Sequence, residues 1–289
     1  MPSPDPSKAV LITGCSTGIG RATALRLAKA GFTVYATARN EKSLADLAAA
    51  GCRTLALDVN DEASMRAAVA AVEAEHGAVS YLVNNAGYSQ SGAVEEVSPE
   101  KLRAQFETNV FGLVRMCQLV LPGMRRQRFG RIVNLGSMGG VLTFPGGGVY
   151  HATKYAVEAL TDALRFEVAG FGVDVVLIQP GLIRTEFSAT VNTHMNDMTR
   201  GDSPYAAFNA HVARATTDAY VKGPAAKLGG EADDVAQVIE KALTARRPKT
   251  RYRVTASAHL LMTQRRLLSD RAWDAFLRSQ YPQPGASAK

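Results

Sequence analysis

Short apolar runs alternate with longer stretches of helical periodicity, and this rhythm constrains the chain more than any other feature. The runs are residues 9–12, 32–36, 54–57, 79–83, 131–135 and 173–178, with a seventh over 252–255. Between and after them, helical patterns cover 19–29, 41–49, 62–76, 99–125, 149–169 and 232–245. Near-continuous apolar character in a strand means burial on both faces, which a parallel sheet covered by helices provides. Repeated strand–helix units with right-handed crossovers then wind that sheet outward in both directions from its middle. An α/β fold follows, a single doubly wound domain of about seven parallel strands, with its ligand crevice at the strands' carboxyl ends.

One segment breaks the rhythm. Residues 188–229 mix Gly, Pro, Asn and Asp with scattered apolar side chains, which suits a helical lid inserted into the domain rather than a linker. The organisation expected is a disordered lead-in over 1–7, a catalytic domain over 8–255 and a helical extension over 256–289. The first residues contain no basic stretch feeding an apolar one, so no signal peptide is expected. No run approaches the length of a membrane span, and a cytoplasmic location is the default.

Charge and composition exclude further classes. The 289 residues are 46% hydrophobic and 20% charged, as in an ordinary globular enzyme. Three cysteines and five histidines show no metal-ligand spacing, so no catalytic metal is expected. The net charge of +7 sits in the tail, where ten Lys and Arg stand against Asp270 and Asp274 beyond residue 244. Arginines flanking Leu260, Leu261, Leu267 and Leu268 read as a solvated helix face, and nucleic acid is not expected as a partner.

After the first strand stands Thr13-Gly14-Cys15-Ser16-Thr17-Gly18-Ile19-Gly20. Its glycines let the backbone turn sharply, so that a pyrophosphate can approach main-chain N–H groups at a helix amino terminus. Farther on, Tyr150 and Lys154 are four apart and share a helix face, so an ammonium lies near a phenol and favours its ionised form. Ser137 ends the preceding strand, thirteen residues upstream of the tyrosine. A hydroxyl there and a phenol at the start of the next helix both reach the crevice.

Together with Asn84-Asn85-Ala86-Gly87 and Asn109, these motifs resemble the short-chain dehydrogenase/reductase family over about residues 8–254. The resemblance is strongest to its steroid and retinol dehydrogenase members. It implies a Rossmann-type domain that moves a hydride between a nicotinamide dinucleotide and a carbonyl or secondary alcohol. Tyr150 then matches the proton-transferring residue, Lys154 the residue that lowers its pKa and holds the nicotinamide ribose, and Ser137 the group that polarises the carbonyl. Asn109 matches the anchor of a water-linked proton relay. The cofactor positions implied are Gly14, Ser16, Thr17, Gly18, Ile19, Gly20, Asp58, Asn85, Ala86 and Gly87. Pro180, Gly181, Ile183 and Thr185 match the segment near the nicotinamide carboxamide. Homodimers or homotetramers built through residues 99–125 and 149–169 are also implied.

Cofactor and substrate preferences come from particular side chains. The second strand ends without a carboxylate to bind a ribose 2′-hydroxyl, and Arg39 stands where it can meet a 2′-phosphate; NADP(H) is expected over NAD(H). Met138, Val141, Leu142, Phe144 and Phe187 would wall the crevice around Ser137 and Tyr150. That wall points to a small hydrophobic carbonyl or alcohol such as a steroid, a retinoid-like lipid or an aromatic ketone. Competing readings are an extended-branch epimerase, a 3-oxoacyl carrier-protein reductase and a non-enzymatic NADP(H)-binding regulator.

Overall fold

The computed structural model describes residues 7–185 and 203–285. Seven parallel strands form one sheet: β1 (Ala9–Ile12), β2 (Thr33–Ala38), β3 (Arg53–Ala56), β4 (Tyr81–Asn84), β5 (Gly130–Leu135), β6 (Val173–Pro180) and β9 (Arg251–Val254). Their order is β3-β2-β1-β4-β5-β6-β9, so the winding reverses between β1 and β4, where Val10 pairs with Val34 on one side and Tyr81 on the other. A crevice opens at such a reversal, because the helices that leave the two strands diverge to opposite faces.

Strand alternation sends side chains into two separate cores. Val10, Ile12, Val34 and Val133 pack against α1 (Gly18–Lys29), α2 (Ala45–Ala49) and the later helix Ala232–Thr244. Ala9, Leu11, Leu82 and Ile132 face α3 (Glu62–His76), α5 (Gly112–Gln127) and α6 (Gly148–Val168). Both faces of the central strands are therefore dry, as their apolar runs require. The expectation fails at β3, an edge strand whose Arg53 and Ala56 are exposed. Its burial is partial because only β2 flanks it.

The helix expected over 99–125 is interrupted. It runs as α4 (Pro99–Phe106), widens into a π-turn over Glu107–Phe111 and resumes as α5. A π-turn adds one residue to a helical turn and re-aims the side chains around it, a device frequent at functional sites. Residues 188–202 of the inserted segment lie outside the described residues. The remainder forms α7 (Ala206–Val221), a 3-10 turn over Pro224–Leu228 and β8 (Gly230–Glu231), which pairs with β7 (Ile183–Arg184) in a separate two-stranded sheet. After α8 (Ala232–Thr244) and β9 come α9 (Ala256–Leu267) and α10 (Asp270–Gln280). Among the described residues no helix is long and apolar enough to cross a membrane, and no His, Cys, Asp or Glu cluster could hold a metal.

Candidate active site

The turn between β1 and α1 is built for close approach. Gly14 and Gly18 both adopt positive φ, 72° and 56°, where a β-carbon is strained. A Cβ on Gly20 would strike the Gly14 carbonyl and the Asn85 amide. Thr13 joins this turn to the one after β4: its Oγ1 accepts from the backbone N–H of Asn85 and Ala86, each at 3.0 Å. Asn85 returns the link, its Nδ2 donating to the carbonyls of Thr13 at 3.0 Å and Gly14 at 2.8 Å. Asn85 thus serves the shape of the turn, and Thr13 is a partner that motif reading passed over.

Thr17 is the N-cap residue of α1, but its side chain caps nothing, and the first turn holds no acidic residue. The helix therefore presents uncapped N–H groups and positive potential beside exposed Ser16 and Thr17. Arg39 is exposed at the end of β2 and makes no ion pair among the described residues. Its charge lies close enough to Tyr88 to draw that phenol's pKa down, although burial has the larger effect and raises it. Asp58 Oδ1 accepts the Asn60 N–H at 3.0 Å, which shapes the turn after β3. A Cβ on Gly18 would lie 3.4 Å from Thr185 Cγ2, so the segment after β6 meets the glycine turn. These features, a Cβ-free cradle and uncapped N–H groups with a guanidinium nearby, fit a nicotinamide dinucleotide.

Ser137 leaves the end of β5, where its Oγ accepts the Gly139 N–H at 3.0 Å and so starts the short 3-10 turn Met138–Gly140. Its hydroxyl also bonds the Tyr150 phenol. Lys154 is buried one turn after Tyr150 on α6; its Nζ donates to the Leu135 carbonyl at 2.7 Å and stands 5.7 Å from the Tyr150 ring centroid. Burial pushes the Tyr150 phenol up to about 12, with the Ser137 hydroxyl pulling the other way. Burial also draws the Lys154 ammonium down to about 8. The phenol is therefore raised by desolvation rather than lowered by the neighbouring cation as expected.

Asn109 projects from the π-turn. Its Oδ1 accepts the Tyr88 N–H at 3.1 Å, and its Nδ2 donates to the Tyr88 carbonyl at 2.9 Å and to Thr153 Oγ1 at 3.1 Å. Thr153 in turn donates to the Tyr150 carbonyl at 2.7 Å, so the amide ties the strand-4 loop to the helix that carries Tyr150 and Lys154.

Met138, Leu142 and Leu182 are buried in one apolar cluster with Met262 and Trp273, and Val141, Phe144 and Tyr220 pack against it. Phe144 lies 6.1 Å from Trp273, centroid to centroid. The carboxyl-terminal extension thus packs into this cluster, a contact that local sequence patterns did not anticipate. Burial, with the Tyr150 phenol close by, raises the Tyr220 pKa well above the usual tyrosine range. Phe187 lies outside the described residues. Arg184 bonds Glu231 and donates to the Ala226 carbonyl at 3.1 Å.

His151 is a further residue that motif reading left unassigned. Its Nδ1 accepts the Phe144 N–H at 3.2 Å, and a Cβ on Gly139 would come within 2.6 Å of its ring. Burial draws its pKa down to about 4, so the ring is neutral and pins the Ser137–Phe144 loop to α6.

Comparison with known proteins agrees with this geometry. Residues 8–196 match the short chain dehydrogenase family. The chain is 41% identical to a 3-ketodihydrosphingosine reductase of Bacteroides thetaiotaomicron over 68% of this chain and 71% of that one. It is 36% identical to the oxidoreductase YbbO of Escherichia coli K12 over 94% of both. A 17-beta-hydroxysteroid dehydrogenase type 1 of Mus musculus is 38% identical over 84% of this chain and 72% of its own length. Among solved structures, a short-chain dehydrogenase from Streptomyces avermitilis superposes with a TM-score of 0.74 at 31% identity, covering 95% of this chain and 96% of that one. A serine dehydrogenase complexed with NADP+ gives 0.72 at 30% identity, over 86% and 94%. A Burkholderia phymatum relative in complex with NAD gives 0.75 at 28%, over 98% of both. With the glycine turn, the doubly wound sheet and the Ser137–Tyr150–Lys154 grouping, these likenesses place the chain in the short-chain dehydrogenase/reductase family of oxidoreductases.

Proposed function

We propose that the protein is an NADP(H)-dependent reductase of apolar ketones, working in the cytoplasm, with Tyr150 as general acid. The observation that carries this reading is the convergence of Ser137, Tyr150 and Lys154 beneath an apolar wall of Met138, Leu182 and Trp273. When bound, the nicotinamide supplies the hydride. Gly14 and Ile19 would leave room for the pyrophosphate at the start of α1, beside Ser16, Thr17, Gly18 and Gly20. Arg39 would pair with the 2′-phosphate, Asp58 would contact adenine, and Ala86 and Gly87 would form the floor. Pro180, Gly181, Ile183 and Thr185 would border the carboxamide.

In this mechanism Ser137 holds the substrate oxygen and Tyr150 delivers a proton to it. The phenol, raised by desolvation, is protonated at neutral pH and so can donate to the substrate oxygen in the reductive direction. Asn109 positions α6 and anchors the relay that resupplies the proton. The catalytic unit spans 8–255, and the helices of 256–285 finish its wall. Arg184 is engaged with Glu231, and Arg265, which lies over Trp273, is paired with Asp270; an apolar substrate fits this wall better than a short oxo-acid. The reductase and steroid dehydrogenase names carried by similar proteins support the same class.

The test is a screen of apolar ketones of increasing size against short anionic oxo-acids, following NADPH and NADH oxidation. Preference for apolar ketones with NADPH is expected, and Arg39→Ala should weaken NADPH far more than NADH. Preference for the small acids, or equal losses for both cofactors, would overturn the reading.

A further inference from the structure

One buried polar side chain joins α7 to the loop that follows β4. Asn209, in the first turns of α7, is fully buried: its Oδ1 accepts the Ala93 N–H at 3.2 Å, and its Nδ2 donates to Glu96 Oε2 at 2.6 Å. The other oxygen of Glu96 accepts the Ser203 hydroxyl, and Ser203 Oγ in turn accepts the Tyr205 N–H at 3.0 Å just before the helix. A single carboxylate, carried on the 3-10 turn Val94–Glu96, thus holds the start of α7 by two donors.

The loop that carries Glu96 is itself fixed at its other end. Tyr88 is bonded through its backbone to Asn109, and Gln105 Nε2 donates to the Tyr88 carbonyl at 2.7 Å. Midway, the Gly92 N–H donates to the Gly146 carbonyl at 2.8 Å, and a Cβ on Gly146 would come within 2.6 Å of Val212 Cγ1, so α7 lies directly on these two loops. Eleven residues separate Asn209 from Tyr220, about three helical turns, which puts both on the same face of α7. Tyr220 packs there against the cluster of Met138, Leu142, Leu182 and Trp273. Clamping the first turns of α7 to Glu96 therefore fixes where the Tyr220 ring stands.

We propose, resting on the reading that an apolar ketone meets this wall, that Glu96 and Asn209 are positioning residues that set how tightly the ketone binds, by holding Tyr220 against the wall. Their side chains bond one another, Ala93 and Ser203, none of which belongs to the Ser137–Tyr150–Lys154 grouping. Binding of apolar surface thus depends on the clamp, whereas proton transfer does not.

Asn209→Asp keeps an oxygen for the Ala93 N–H but sets two carboxylates face to face, so the start of α7 should lift from the loop. The full-length protein is assayed with NADPH and ketones of increasing size. KM for the largest should rise at least about tenfold, since a charge-assisted link is lost, while kcat for the smallest and the affinity for NADPH hold within about twofold. The double variant Glu96→Gln, Asn209→Asp exchanges donor and acceptor across the same pair and should bring KM back to within about threefold of the starting protein. Trp273, the single tryptophan, gives a readout that needs no substrate: only 5% exposed, it should become more accessible to acrylamide in Asn209→Asp and recover in the double variant. Glu96→Ala, at a half-buried position, repeats both measurements should Asn209→Asp fail to fold. Unchanged KM and unchanged Trp273 quenching in these single variants, or a loss of kcat equal for every ketone, would overturn the assignment. A starting protein that reduces no apolar ketone would instead overturn the substrate reading, with the quenching series still deciding whether Glu96 and Asn209 hold Tyr220 in place.

Discussion

At the scale of single residues, desolvation shifts the proton affinities of Tyr150, Lys154 and His151. Tyr150→Phe removes only a transferable proton, so ketone reduction should fall by at least about a hundredfold while NADPH binding holds. Single-turnover kinetics with a parallel cofactor titration would check this. Because the phenol keeps its proton to about pH 12, the alkaline limb of the rate profile should belong to Lys154, with reduction declining as pH rises through about 8. A profile flat to pH 10 would contradict that assignment. His151 makes a separate prediction about stability. Its folded pKa, about 4, lies below its ordinary value of 6.5, so the folded state takes up fewer protons between these limits. Stability is complete above about pH 6.5 and is lost as pH falls toward 4, by up to about 3 kcal/mol. Urea unfolding of the protein and of His151→Phe at pH 7 and pH 5 would show a smaller pH dependence in the variant.

Among the elements, β5 and α8 are joined by one side chain whose role no local pattern announces. Arg131 leaves the start of β5, is only 6% exposed, and donates Nη1 to the carbonyls of Ala242, Leu243 and Ala245 at 2.7–3.0 Å. Those are terminal carbonyls of α8, where the helix dipole is negative. Its Nη2 holds Asp174 of β6 at 2.8 Å. Arg131→Met should therefore cost about 2–4 kcal/mol in urea unfolding, because buried carbonyls lose their donor. A change below about 0.5 kcal/mol would show that water replaces the guanidinium. The π-turn acts similarly on function: by displacing the helix register at Glu107–Phe111 it brings Asn109 to both Tyr88 and Thr153.

For the whole molecule, the surface of α6 opposite the site calls for a partner. Tyr155 and Phe166 are about three turns apart on one face, and both are exposed, Phe166 by 89%. Exposed Phe111, at the end of the π-turn, adds to the apolar surface of this helical layer. A second copy packed helix against helix would bury these rings, in keeping with the homo-oligomer implied by family resemblance. Sedimentation of Phe166→Asp should then show a shift toward monomer while the melting temperature measured at high protein concentration falls. An unchanged sedimentation coefficient would place any interface elsewhere.

The alternation of apolar runs and helical periods, the glycine turn, and Tyr150 with Lys154 four residues on were all legible in the sequence, because each depends on neighbours within a turn of helix or a single strand. The strand limits agree with that reading to within about two residues, whereas the strand order is a property of the folded sheet. What neighbouring residues could not reveal are contacts between distant segments. The tie of Thr13 to Asn85, the closing of the apolar wall by Trp273, the pinning of the Ser137–Phe144 loop by His151 and the pairing of Arg184 with Glu231 all join parts of the chain with no shared periodicity. The phenol shows the same division: sequence spacing set a cation beside Tyr150, but only the packed interior made desolvation the larger influence on its proton.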